Sequence, residues 1–406
     1  MLSTTLPRPM TASTQRRRDL IFVSAGLELD GGGRALAGRL LATGSAAYAG
    51  ERGIGWSLFS LTGLNAFVGG GGARGFAGDQ AALALAVWRR QLADSRRVAC
   101  IYDLLGPARV QAWLPARLRA PYLVEIHGIE VWSRLSGSRS RALRRATVRL
   151  AHSQHTREGA RQANQSLGPI EVLPLCLEER PPAGEVDGAL LGRAGRDYLL
   201  IVGRMAATER YKGHDQLLQA LASFLPLSPP ATAPRAAANA TLLPGPPQDG
   251  ASLPRLVVAG DGDDRPRLEA LAATLGIAGQ VLFTGFVTEA TLAEIYARAA
   301  VLVMPSRGEG FGLVYLEAMR AARPCIAARN GAATEIVVDG ETGLLVDPLD
   351  PGEIAAAIGR LLGFPELARR LGQAGRRRYE QSFTLRNYRE RLWPLLDRLT
   401  ADRLTA

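Results

Sequence analysis

The chain has 406 residues, 47% hydrophobic and 21% charged, which suits two or three domains because a single core stops growing beyond about 250–300 residues. Three scattered cysteines, four histidines and no Cys-x-x-Cys pair argue against a disulfide framework or a zinc module and fit a reducing compartment. The net charge of +11 lies in residues 1–180, where 24 arginines face 13 acids, so that half is expected to meet something anionic: nucleic acid, lipid headgroups or a phosphorylated acceptor.

Residues 1–18 are polar and Pro-bearing and read as a flexible tail. The run LIFVSAGL that follows is too short to span a membrane and reads as a first β-strand, DLIFVSAG over 19–26. No later stretch approaches about 18 uninterrupted apolar residues, so the expected protein is cytoplasmic, soluble or peripherally bound to a membrane. The turn DGGG (30–33) and the helical RALAGRLLAT come next. Strands are predicted in 97–105 and 122–128, a helix and the start of a strand in 141–153, and a strand in 170–175. Short apolar runs alternating with helix-length segments predict βαβ units and a parallel sheet over 19–180.

A polar, Pro/Gly-rich stretch marks a linker at 181–197. A second strand series then begins: 197–204, 255–263, 280–287, 301–306, 324–329 and 343–347. The expectation is an α/β protein of two Rossmann-like, doubly wound parallel-sheet domains, the second over 198–385. Residues 225–254, with eight prolines, read as a mobile insertion in it. The amphipathic stretch 386–406 is predicted to form a C-terminal helix crossing back over the domain junction.

The most specific motif is VLVMPSRGEGFGLVYLEAMRAARPCIA (301–327). A strand ends at Pro305, a glycine-rich loop follows, and a helix opens near Leu313. Gly308, Gly310 and Gly312 permit close backbone approach, and the amides of the new helix then point at whatever lies above the sheet edge, an arrangement that holds phosphate. Glu309 and Glu317, eight positions apart, can face one crevice and accept hydrogen bonds from vicinal hydroxyls. The acidic AGDGDD (259–264) follows a strand and opens a helix, so it reads as a capped tight turn and not a metal site.

The run SRGEGFGLVYLEAM resembles the Glu-x7-Glu signature of retaining GT-B glycosyltransferases of family four. Other segments resemble that family in the same order: GGG (31–33), HG (127–128), VGR…KG (202–204 and 212–213) and GETGLLVDP (340–348). The likeness covers about 19–390 and is stronger in the second half. One departure is PLCLE (174–178), where the family often carries a Pro-Asn-Gly-Val-Asp-like stretch.

The resemblance implies a GT-B fold and transfer of a hexose, of mannose or glucose type, from a UDP- or GDP-linked donor. The acceptor it implies is a lipid-linked or cell-envelope glycan. Neither a metal nor a resident cofactor is expected, because cationic side chains and helix amides would stabilise the departing diphosphate. Arg204, just past a strand end, and Lys212, the only lysine in the chain, form the implied basic pair. Gly32 and Gly33 would approach the diphosphate, and Gly310, Phe311, Gly312, Leu313 and Val314 would complete its cradle. Glu317 would meet the ribose hydroxyls and Glu309 those of the hexose. His127 would bond a sugar hydroxyl or orient the acceptor, and Phe286 and Val287 would flank the base. Front-face attack and double displacement both remain open.

Between Arg134 and Arg149 stand six arginines and no acid. Arg141, Arg144, Arg145 and Arg149 would share one side of a helix, a contact for anionic lipid or a lipid-diphosphate acceptor. Nucleic acid is not the expected partner, since no aromatic-rich basic platform accompanies the arginines. The rival readings are a GT-B sugar-nucleotide epimerase or hydrolase, and a non-catalytic basic scaffold that binds membrane or nucleic acid.

Overall fold

The structure is a computed structural model, and it describes residues 18–27, 32–62, 72–93, 96–179, 182–225 and 254–401. The first domain holds seven parallel strands: β1 (Asp19–Ser24), β2 (Trp56–Ser60), β3 (Arg74–Gly75), β4 (Val98–Tyr102), β5 (Tyr122–Ile126), β6 (Val148–Ala151) and β7 (Glu171–Val172). Their spatial order is β3-β2-β1-β4-β5-β6-β7. The second holds β8 (Tyr198–Val202), β9 (Leu256–Ala259), β10 (Val281–Gly285), β11 (Ala299–Met304), β12 (Cys325–Ala328) and β13 (Gly343–Val346), in the order β10-β9-β8-β11-β12-β13. Each sheet winds outward from its first strand in both directions. The switch points therefore fall between β1 and β4 and between β8 and β11, where ligands collect beyond the strand ends.

The central strands are apolar runs with no polar alternation, as burial on both faces requires. β4 (VACIY) and β5 (YLVEI) are buried throughout, Glu125 included. Reading for apolar runs passed over β2 and β3, because WSLFS alternates and Arg74–Gly75 is a two-residue edge. Within the expected linker, Gly188–Ala194 forms a helix that buries Leu190, Leu191 and Ala194. Nearly all of the predicted insertion (226–253) and all but one residue of the predicted tail (1–17) lie outside the described residues.

The C-terminal helix Leu385–Thr400 returns to the first domain as expected. A Thr384–Asn387 capping box starts it, and it carries Pro394 in its interior. Leu392 rests on Gly44 of the helix Gly33–Arg52 so closely that a Cβ there would stand 2.8 Å from the leucine. Tyr48 donates to Asp397 Oδ1 at 2.8 Å, and Arg398 pairs with Glu171 at 2.6 Å.

The basic segment departs from expectation at Arg149. The helix there is Gly137–Arg145, and Arg149 sits on β6, 7% exposed. Its guanidinium donates to the carbonyls of Leu143, Arg144 and Pro169. It thus satisfies the end of the helix and presents no charge to solvent. Among the described residues no helix is long and apolar enough to cross a membrane.

Candidate functional site

The loops that leave the two switch points face each other. The helix Gly33–Arg52 begins at Gly32, and the helix Leu313–Arg320 begins at Gly312, neither with a side-chain cap. A Cβ on Gly33 would stand 3.3 Å from Leu313 Cδ1, and one on Gly32 would stand 3.8 Å from Arg204 Nη2. Two helix N-termini with unsatisfied amides, one from each domain, therefore meet beside a guanidinium. Helix dipoles and open N–H groups make such a place attractive to an anion.

The expected basic pair does come together. Lys212 ends the short helical turn Ala207–Lys212, and its side chain is 16% exposed. Its ammonium lies over Gly203, 3.5 Å from where a Cβ would stand. Glu209 was not anticipated. Its Oε2 is 3.3 Å from Lys212 Nζ and 3.9 Å from Arg204 Nε, so one carboxylate holds both cations in register. Its place three residues before the lone lysine was the available signal. Tyr211, also missed, packs under Gly308, and burial with the nearby Glu209 and Glu309 pushes its hydroxyl up to about 12.

The loop 305–312 is braced from within. Ser306 Oγ donates to Glu309 Oε1 at 3.2 Å, and Tyr211 O accepts from Arg307 N at 2.9 Å. Gly312 has φ +101°, and a Cβ there would come 2.6 Å from the Tyr315 ring, so only glycine allows this entry to the helix. Phe311 lies in the expected loop with its side chain turned away from the crevice. Its ring is 6% exposed and stacks edge-on with Phe383, which makes it the loop's anchor in the core. Leu313 and Val314 lie in the first turn of the helix, half-buried.

Glu317 is one turn further on. Burial raises its carboxyl, against the pull of a 2.6 Å bond from Tyr296 Oη to its Oε2. Tyr296 lies 21 positions away on another helix, and nothing local in the sequence marks it. Phe286 is 86% exposed immediately after the edge strand β10, with Val287 beside it.

His127 follows β5 and precedes the short helix Gly128–Val131, whose Glu130 side chain returns to the His127 amide at 2.8 Å. Behind it stands Glu125, fully buried, with His127 Nε2 at 3.4 Å and His152 Nε2 at 3.3 Å. These three form the one group among the described residues that could hold a metal ion, their ligand atoms lying within 4.8 Å of one another. The nitrogen of His127 that faces Glu125 is also 3.0 Å from the Asp103 carbonyl. That carbonyl is a partner for N–H, so the cluster reads as an ion pair under the cleft. Burial alone would raise Glu125 and lower His127. For Glu125 the two histidines, His152 first, outweigh burial and hold it down to about 2; for His127 the bond to Glu125 outweighs burial and lifts it to about 9.

The acidic turn 259–264 is engaged by protein donors. Asp264 does not cap its helix. Arg267 and Arg210 clamp it instead, holding it down to about 2, while Asp263 accepts from the Ala207 amide at 2.9 Å.

One contact between the domains had no sequence signal. Ser153 Oγ and Thr156 Oγ1 donate to the carbonyl of Gly310 at 2.7 and 3.2 Å. Glu335 of the second domain accepts from the amides of Gln154 and His155, both at 2.8 Å.

Comparison with known proteins places this geometry. Residues 196–363 match the family described as Glycosyl transferases group 1. The chain is 33% identical over 291 residues to a GDP-mannose-dependent alpha-(1-6)-phosphatidylinositol monomannoside mannosyltransferase of Mycolicibacterium smegmatis, covering 67% of this chain and 68% of that one. It belongs to the group 1 glycosyltransferases. This group 1 chain is also 40% identical over 164 residues to a D-inositol 3-phosphate glycosyltransferase of Acidothermus cellulolyticus, covering 40% of itself and only 33% of that relative. Among solved structures it resembles the sucrose-phosphate synthase of Thermosynechococcus elongatus, with TM-score 0.69, 21% identity, and 94% and 99% of the two chains covered. It also resembles Anabaena Alr3699/HepE in complex with UDP, with TM-score 0.66, 17% identity, and 93% and 99% covered. The two-domain GT-B fold follows from these likenesses.

Proposed function

We propose that this group 1 glycosyltransferase transfers a hexose, of mannose or glucose type, from a UDP- or GDP-linked donor with retention of anomeric configuration. The observation that carries the reading is the meeting of two uncapped helix N-termini with Arg204 and Lys212. Breaking the donor's C1–O bond leaves the nucleotide diphosphate with added negative charge. The two cations and the amides of Leu313 and Val314 stabilise that charge as it develops. They supply it without a divalent metal. Lys212 is compact, largely enclosed and held by Glu209, so it is preorganised and needs no rearrangement during reaction.

Glu317 presents Oε1 to the ribose while Tyr296 fixes Oε2. Glu309, steadied by Ser306, meets hydroxyls of the hexose, and Phe286 with Val287 flanks the base. His127 lines the first-domain side, where the acceptor enters. The named activity of the M. smegmatis relative, on a phosphatidylinositol monomannoside, supports a lipid-linked glycan acceptor; the name of the A. cellulolyticus relative points instead to a small phosphorylated acceptor.

The first domain would meet the inner face of the cytoplasmic membrane. Trp113 is 64% exposed, with the Arg141 guanidinium 5.0 Å over its ring. Arg109, Arg117, Arg139 and Arg144 are exposed nearby in sequence, and no acid between residues 104 and 149 is exposed. An indole whose face already carries a guanidinium suits a headgroup layer better than a stacked base.

The test is thermal stabilisation by UDP, GDP and ADP in chelator, repeated on Lys212→Ala. One uridine or guanosine nucleotide should raise the melting temperature of the wild type, and the variant should lose that response. No response to any of the three, or an unchanged variant, refutes the site.

A further inference from the structure

The bonds between the domains converge on the donor loop. Gly310, whose carbonyl receives Ser153 and Thr156, is the residue directly after Glu309. Gly310 also lies close to Gly128, whose backbone N is 3.7 Å from where its Cβ would stand. Ser153 is the N-cap of the helix Gln154–Ala163, and its hydroxyl both accepts from Thr156 N at 3.0 Å and donates to Gly310. The remaining open amides of that helix end, those of Gln154 and His155, are filled by the Glu335 carboxylate. Two amides of the first turn of a first-domain helix are thus satisfied by a carboxylate of the second domain, and the third by the helix's own N-cap.

From this geometry we infer that Ser153, Thr156 and Glu335 are positioning residues that set the donor loop, and with it Glu309, only when the two domains are closed. The inference rests on the proposed role of Glu309 towards the donor hexose. Arg204, Lys212 and Glu317 lie within the second domain with their own partners Glu209 and Tyr296. The nucleotide contacts proposed for these residues therefore do not need the clasp. The Gly310 carbonyl and the Glu335 carboxylate do, because without Ser153, Thr156 and the helix amides they lose these partners. The acceptor-binding domain is in this way a structural part of the sugar-binding loop. A donor bound to the open chain would be held by its nucleotide while its hexose waits unoriented, which limits hydrolysis by water.

The test compares wild type, Ser153→Ala with Thr156→Val, and Glu335→Ala. Nucleotide affinity from thermal shifts should stay within about twofold, while kcat for transfer falls roughly 10–100-fold. The conservative pair Ser153→Thr with Thr156→Ser keeps both hydroxyls and should restore most of kcat. Small-angle scattering should show a larger radius of gyration for Glu335→Ala than for wild type. Wild-type kcat in the hydroxyl-free variant overturns the inference. So does a loss of nucleotide affinity in step with kcat. If wild type binds nucleotide but transfers nothing, the proposed function fails, and the scattering comparison alone then decides the clasp: equal radii overturn it.

Discussion

Replacing Glu125 by glutamine removes the carboxylate that lies between His127 and His152 and leaves side-chain size almost unchanged. Glu125 is wholly buried, and its carboxyl is held to about 2 against an ordinary 4.5. At about 1.4 kcal/mol per unit, that shift corresponds to a contribution on the order of 3 kcal/mol at neutral pH. The lift of His127 to about 9 shares the Glu125–His127 contact with that shift, so it is not added in full. Removing one member of a buried pair typically costs about 3–5 kcal/mol, which agrees. For a domain of this size, about 2–4 °C is lost per kcal/mol, so the first-domain transition should fall by roughly 6–12 °C.

The pH dependence has a definite sign. The Glu125 contribution is complete above its unfolded value of 4.5 and fades as pH falls towards 2. The His127 contribution is complete below 6.5 and fades as pH rises through about 9. The gap between wild type and Glu125→Gln should therefore be widest between 4.5 and 6.5 and narrow on both sides. Asp103, which burial lifts to about 7, titrates in both proteins; Glu125 is a lesser cause of that lift, so only this share enters the difference. Calorimetric melts of the two proteins across this range provide the measurement. A gap that stays flat with pH, or no gap at all, refutes the ion-pair reading.

Lys212→Arg should lose transfer by roughly 10-fold or more, since a planar guanidinium cannot take the place of an ammonium enclosed by Gly203 and Glu209; undiminished turnover would make the lone lysine incidental. Tyr296→Phe deletes the bond to Glu317 Oε2, worth about 1.5–3 kcal/mol for a charged acceptor, and should raise the donor KM by roughly 10–100-fold with little change in kcat. Steady-state kinetics with varied donor would show neither constant changed if Tyr296 merely fills space. Trp113→Ala should weaken binding to vesicles containing phosphatidylglycerol several-fold and leave the weak binding to neutral vesicles unchanged. Equal binding of wild type and variant in a sedimentation assay would remove the membrane from this surface.

Most of the fold could be read from the chain because its central strands are uninterrupted apolar runs. VACIY and YLLIV announce themselves, while the alternating WSLFS and the two-residue Arg74–Gly75 do not. The part of the candidate site around Gly312 and Lys212 stood out for a similar reason. Gly312 at positive φ and a solitary lysine are constraints on residue type, and such constraints survive in sequence. Side-chain direction is not of that kind. Phe311 turns into the core, and Arg149, expected on a helix face, satisfies the end of that helix from the neighbouring strand. Partners distant in the chain were equally silent: Tyr296 finds Glu317, and Glu335 finds Gln154 and His155, only through the fold.

The returning helix Leu385–Thr400 means that the chain passes between the domains twice, once through the segment before β8 and once just ahead of Thr384. Such a body resembles a door hung on two pins more than a weight on a string. Its easy motion is rotation about the line joining the two crossings, while sliding and free tumbling of one half are blocked. Cutting one crossing would still leave the other, so a protease nick between the sheets should yield two fragments that migrate together until denatured. The first-domain surface that packs Leu392 and Asp397 is then the lower pin, and Gly44, by admitting Leu392, is where it is seated.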